Sequence, residues 1–369
     1  MQMQDKIKFG RWEAVFLLVN LICTKIFLFF PRMAVDDAGT AGWIMVIFTS
    51  LLAFVLFSIL MGLFKKFEGK DILDIAVHAG GKPLKIITGL FMAGISLLTV
   101  VVGLREFAED MKVISLPSSP LSYVMLFFVA GMAVGSFLGM EAIIRLNAIV
   151  IPFISVGYIF ILMGVIPDMD LDNIFPIFGT GLNDILGMGV FRVSIFFEIL
   201  TIFIITPFLG KSKKVRSSGY AALGLSSFFL LIGSFAYILT FSYPASKELF
   251  LPIYHMARLI NIGRFFQRIE SVFVFIWAMA ALLYLTTIFY FMLYIAAKTA
   301  GLKYIRPLIL PFAVITFSAV FIPHNLNDVI NILTEIVYKI IGLAGFVFYT
   351  LILIIANLRK KQKKGVFKN

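Results

Sequence analysis

The sequence predicts an all-α integral membrane protein with ten transmembrane helices, arranged as two halves of five. Three observations carry this reading. Apolar residues make up 61% of the chain and charged residues only 14%, against roughly 25% charged in an ordinary soluble domain. The apolar residues gather in runs of the ~20 residues that a spanning helix needs. Lys and Arg concentrate on one side of those runs. A soluble chain of this length could not hide so much apolar surface, so a soluble enzyme, a disordered chain and a disulfide scaffold are excluded.

The runs fall at 12–34, 43–64, 84–104 (with an extension toward 114), 121–140, 143–166, 186–209, 218–241, 269–297, 305–322 and 329–357. Lys6, Lys8 and Arg11 precede the first run in the manner of a signal peptide. That run is too long for one and lacks a small-x-small cleavage site, so it reads as a span. With the N-terminus placed inside, 22 Lys and Arg flank the inner ends and 7 the outer ends, which predicts cytoplasmic termini. The same bias accounts for the net charge of +12. The basic runs are short and follow span ends, so no nucleic-acid partner is expected.

No interspan stretch is long enough for a separate soluble domain. The chain reads as one transmembrane domain over 1–369, with a first half at 12–166, a second at 186–357 and a basic tail at 358–369. Five is odd, so the second half starts from the opposite side, giving a 5+5 inverted repeat with broken first and sixth helices. Phe29-Phe30-Pro31-Arg32 predicts the first break, because proline cannot donate a backbone bond. The sixth span has Gly187 and Gly189 at its start and Pro207 near its end, with no proline between.

Two further pieces read as helical. Residues 70–79 place Ile72, Ile75 and Ala76 on one stripe and end at Gly80-Gly81, which fits a short interfacial helix. Residues 247–268 mix apolar side chains with Arg258, Arg264 and Arg268, an amphipathic segment on the outer side.

Charges within spans are the candidate functional residues, since each is costly unless paired or facing a cavity. Lys25 and Glu198 lie near the middle of the first and sixth spans. The inverted-repeat plan crosses these two helices, so the pair is expected to meet, with the hydroxyls of Thr24 and Ser194 beside it. Glu335–Lys339 and Glu141–Arg145 lie at i,i+4 and read as local pairs. Cys23 is the lone cysteine and the three histidines are scattered, so no metal site is implied. No P-loop, G-x-S-x-G, HExxH or EF-hand pattern occurs, so neither a cofactor nor an enzymatic activity is implied.

Several pieces, in order, resemble the B-subunit of GerA-type spore germinant receptors, of the amino acid–polyamine–organocation superfamily. They are Pro31; Trp43 after Asp37-Ala38-Gly39; Gly139-Met140-Glu141 with Arg145; and Glu198 with Pro207-Phe208 and the basic cluster from Lys211. Then come Leu251-Pro252, Gly263 through Arg268-Ile269-Glu270, Trp277, and Pro323 before Asn325 and Asn327. The resemblance implies a LeuT-like fold in the inner membrane of a bacterial spore. It implies a small, amino acid-like germinant held between the first, third, sixth, eighth and tenth spans. It further implies an A-subunit and a lipoprotein C-subunit as partners, besides membrane lipid. The candidate ligand-site residues are Thr24, Lys25, Pro31, Ser194 and Glu198, of which Pro31 and Glu198 match the pattern. Glu141, Arg145, Arg268, Glu270 and Trp277 fit structural or signalling roles. Relatives carry a glycine-rich stretch before the proline of the first span. Here Cys23-Thr24-Lys25-Ile26 stands there, so Lys25 either supplies the anion site or fills it with a tethered cation. A proton- or cation-coupled amino acid permease is the competing expectation from the same fold.

Overall fold

In a computed structural model the chain is described over residues 9–260 and 269–366. The predicted segment 247–268 therefore lies partly outside the described residues, and so does Arg268. The side chains of 261–270, of 272 and of 360 onward are likewise outside them, Glu270 included.

The first span is discontinuous. Helix α1 (Arg11–Cys23) passes into a 3-10 turn over Thr24–Phe27, and helix α2 (Phe30–Ala38) resumes beyond it. The break thus sits upstream of where proline alone placed it. Pro31 occupies the first turn of α2, where a missing N–H costs nothing, rather than closing α1. Its missing donor leaves the Phe27 carbonyl without a helical partner. The Thr24 hydroxyl donates back to the Asn20 carbonyl at 2.7 Å, a contact that bends helices.

Helix α3 (Gly42–Phe64) follows, then α4 (Ile72–Ile114), which is kinked at Gly81, where φ is 74°. That value lies in the left-handed region that glycine tolerates. It separates the expected interfacial piece, whose Ile72, Ile75 and Ala76 are buried, from the third span, which does run on to Ile114. Helices α5 (Leu121–Leu138) and α6 (Met140–Gly164) meet at Gly139, φ 91°.

The sixth span is also irregular. Helix α7 (Leu182–Arg192) gives way to 3-10 geometry over Val193–Thr201 before α8 (Ile202–Leu209). Nine residues is long for a 3-10 run, which normally ends within a few residues. Helix α9 (Ser212–Thr240) is followed by the short α10 (Tyr243–Ser246) and α11 (Pro252–Leu259). The latter buries Ile253, Met256 and Ala257 and leaves Leu259 exposed. Helices α12 (Ile269–Ala300) and α13 (Arg306–Ala319) precede a tenth segment that begins as α14 (Leu326–Asn331). It then widens to π geometry over Ile332–Ile341 and continues as α15 (Gly342–Val366).

Among the described residues, eight helical stretches are long and apolar enough to cross a membrane. The sequence predicts ten. The first is cut to 13 residues in α1 by its break, and α13 has only 14, so each is shorter than the ~20 residues of a straight spanning helix. The α1–α2 segment packs against α6, α9, α12 and the 3-10 run of the sixth span, so both breaks lie in the centre of the bundle.

Candidate functional site

The two broken spans meet through Lys25 and Glu198. The Lys25 Nζ donates to Glu198 Oε1 at 2.9 Å, to Oε2 at 2.8 Å and to the Ile195 carbonyl at 2.8 Å. Both side chains are almost wholly buried. The Ile195 carbonyl lies within the 3-10 stretch of the sixth span and accepts this bond from Lys25. A buried ammonium and carboxylate recover part of their desolvation cost only with good geometry and further hydrogen bonds. The arrangement supplies both.

The expected hydroxyls do not serve this pair. Thr24 turns back to Asn20, whose amide in turn bonds Asn147 of α6 at 2.8 Å. Ser194 donates to the Lys339 carbonyl at 3.0 Å, in the π-wound stretch of the tenth span. The polar neighbour of the pair is Tyr338. Its hydroxyl donates to Glu198 Oε1 at 3.1 Å, and its ring centroid lies 4.3 Å from Lys25 Nζ. Tyr284 lies 3.2 Å from the Tyr338 hydroxyl. Its ring continues to Phe107 and on to buried Trp277.

A second cluster lies toward the side of Asp168. Arg192, at the end of α7, holds Asp37 of α2 through Nε and Nη2, the latter at 2.9 Å. It holds Glu335 of the tenth segment at 3.1 Å, and the Thr334 carbonyl as well. Glu335 also pairs with Lys339, as its i,i+4 spacing predicts. The local pair is thus real but incomplete as a description, because Arg192 ties it to two other spans. Glu141 and Arg145 form their predicted pair at 2.5 Å on a well-exposed surface.

The second cluster forms part of the wall of a cavity of about 460 Å³. Its rim includes the exposed Phe250 and the Arg32–Asp36 pair, and its deep wall includes Glu106, Asp110 and Arg192. Phe29 lines it and packs on Tyr338 with ring centroids 5.6 Å apart, so two aromatic rings stand between the cavity and the Lys25–Glu198 pair. Pro31 is buried and sets the direction of α2 along the cavity wall.

A family profile described as "Spore germination protein" (Spore_permease) matches residues 10–329. The chain belongs to the spore germination protein family. Among its relatives, Spore germination protein A2 of Bacillus subtilis (strain 168) is 27% identical over 293 residues, 75% of this chain and 76% of the relative. Spore germination protein YndE of the same organism is 23% identical over 362 residues, 96% of each chain. The GerA-type resemblance read from the motifs therefore holds across the chain. Among solved structures, Mhp1 is a nucleobase-cation-symport-1 family transporter solved with bromovinylhydantoin bound. It superposes with a TM-score of 0.64 at 12% identity, over 97% of this chain and 94% of that one. MhsT in complex with L-phenylalanine gives 0.65 at 14% identity, over 95% and 98%. At such identities the likeness shows the fold alone: an all-helical, LeuT-like transporter architecture in an integral membrane protein.

Within this germination protein, sequence reasoning reached Lys25 and Glu198 but missed Tyr338, the Asp37–Arg192–Glu335 staple and the acids Glu106 and Asp110. Arg192 carried a usable signal, being a guanidinium inside a span. The two acids fell where the third span was read as ending.

Proposed function

We propose that this germination protein is the membrane subunit of a spore germinant receptor. It binds a small, amino acid-like germinant in the 460 Å³ cavity and signals to an A-subunit and a lipoprotein C-subunit. The basic bias makes the Asp168 side the outer one, so the cavity opens outward and both termini are cytoplasmic in the spore inner membrane. Thr24, Lys25, Pro31, Ser194 and Glu198 form the inner end of the ligand path, where a bound molecule would bear on the breaks of both spans.

The observation that carries the receptor reading over the coupled-permease reading is the three-fold anchoring of Lys25 to Glu198 and Ile195. A cation-coupled carrier needs a cation that enters and leaves at its helix breaks. Here the cation is a side chain that cannot leave. Binding can then shift the packing of the broken spans, a conformational signal, without a coupled ion crossing.

The test is a thermal-shift screen of the purified protein against amino acids, sugars and nucleosides, combined with uptake in proteoliposomes. A ligand that binds only the native state raises apparent stability. The expected result is a stabilising ligand that the vesicles do not accumulate under a proton gradient. Gradient-driven accumulation would establish the permease instead.

A further inference from the structure

Five carboxylates line the cavity, and three of them are already matched. Asp36 faces Arg32, Asp37 and Glu335 share Arg192, and Glu335 also takes Lys339. Glu106 and Asp110 have no cation in ion-pair contact among the described residues. Arg105, beside them in sequence, is committed to Glu109 at 2.9 Å and to the Val320 carbonyl at 3.2 Å. Glu106 and Asp110 are one turn apart on α4, so they project from one face. They are only 3% and 5% exposed. Glu106 Oε2 is buried without a hydrogen-bond partner while its side chain lines an open space of about 460 Å³.

Two adjacent acids removed from water repel each other, and a buried acceptor without a donor is costly. One group that answers both is a cation carrying several N–H donors. The space is far larger than the ~30 Å³ that a water occupies, which suits an organic body rather than a bare ion. Phe29 and Phe250 offer apolar faces to that body, and Asn327 and Asn331 offer neutral amides.

We propose that the cavity is a binding site for a small organic ammonium ion, with its N–H groups on Glu106 and Asp110. This rests on the receptor reading above and names the chemical class of its germinant. A compound of net positive charge is favoured over its zwitterion. Arg192 is already spent on Asp37, Glu335 and Thr334, and Arg32 lies over Phe250 beside Asp36. A ligand carboxylate would therefore find no free guanidinium.

The experiment uses the full chain in nanodiscs, with four probes at constant ionic strength: leucinamide, leucine, 4-methylpentanoate and an alkali chloride. Leucinamide is expected to raise Tm most and 4-methylpentanoate not at all. Glu106→Gln and Asp110→Asn, both close to isosteric, should each weaken leucinamide binding ~10- to 100-fold, the worth of a hydrogen bond to a charged group. A measurement that leaves both acids native guards against a folding defect. In a Cys23→Ser background, leucinamide should slow thiol labelling of Asn331→Cys and 4-methylpentanoate should not. Equal binding of the carboxylate, leucinamide binding unchanged in both variants, or a Glu106-dependent shift with alkali chloride alone would overturn the ammonium assignment. So would a failure of all four probes. A sugar or nucleoside that binds regardless of Glu106→Gln would remove this inference and leave the receptor reading standing. No ligand from any class would remove both.

Discussion

Tyr338 touches both members of the buried ion pair: its ring centroid lies 4.3 Å from Lys25 Nζ and its hydroxyl donates to Glu198 Oε1. One side chain from the tenth segment thus joins the breaks of the first and sixth spans. It does so from the π-wound stretch Ile332–Ile341, whose wider turn changes which side chains face the core. The centre of the molecule is accordingly a junction of three irregular helices rather than a contact between two.

Tyr338→Phe tests the polar half of that contact. The substitution keeps the ring over Lys25 and removes the donor to Glu198 and the link to Tyr284. The expected loss is about 1.5–3 kcal/mol for a hydrogen bond to a charged group, read as a lower Tm of the purified protein. Tyr338→Leu should cost more, because it also removes the cation–π contact, worth ~2 kcal/mol when desolvated. Equal Tm values for the two variants would show that the ring contributes nothing.

Lys25 and Glu198 were legible in the sequence for a physical reason: a charge in mid-span is so costly that it must have a partner. Two such charges in the two spans that an inverted repeat crosses leave few alternatives. Tyr338 was not legible, because one tyrosine among 12, alongside 41 phenylalanines, carries no distinguishing mark. The break in the first span was legible in kind but not in place. Pro31 announces an interruption, yet proline fits the start of a helix, so the irregular residues are the six before Phe30 and not those after it. The 3-10 winding of Val193–Thr201 has no local signal, since that stretch has neither glycine nor proline. It is held by tertiary contacts, Lys25 on Ile195 and Ser194 on Lys339.

The Arg192 staple predicts that charge alone is not enough. Arg192→Lys keeps the positive charge but cannot reach Asp37, Glu335 and Thr334 together, because an ammonium lacks the planar fork. The expected outcome is a lower Tm and faster thiol labelling at positions lining the cavity, such as Asn331→Cys. Arg192→Lys that matches the unsubstituted protein in both would show the staple to be incidental.

Close backbone approach gives a prediction without charge. A Cβ on Gly342 would lie 2.7 Å from the Ser194 carbonyl oxygen and 2.9 Å from the Ser194 Cα. Both are backbone atoms of the sixth-span break, so neither can rotate away. Gly342→Ala should lower folded yield and Tm. Gly187→Ala, which meets nothing within 4 Å, should be neutral or raise stability by about 0.5–1 kcal/mol through helix propensity. A reversal of that order would contradict the packing of the tenth segment on the break.

The orientation proposed for the cavity rests on the basic bias and is open to a direct check. In a Cys23→Ser background, a cysteine placed at Asp170 should react with an impermeant thiol reagent added outside, and one placed at Lys213 should not. The reverse pattern would turn the cavity toward the cytoplasm.

The ion pair itself is best tested by removing its members singly and together. Neither side chain reaches water: both are buried to within a few per cent. Lys25→Met leaves the Glu198 carboxylate with Tyr338 as its side-chain donor among the described residues, and Glu198→Gln leaves the Lys25 ammonium with the Ile195 carbonyl and a neutral amide. Each single change should therefore cost about 3–5 kcal/mol, the penalty of an uncompensated buried charge. The double variant has no charge left to desolvate and should recover a large part of that loss. Its Tm is expected above that of either single variant, a coupling well beyond the ~0.5 kcal/mol within which independent sites add. Ligand response supplies a separate readout. If the pair only holds the fold, the double variant should respond to a germinant as the unsubstituted protein does. If it relays occupancy of the cavity to the helix breaks, binding should persist while the downstream response is lost. Simple additivity in stability would mean that the 2.8 Å contact carries no coupling and that each charge is balanced by its other neighbours.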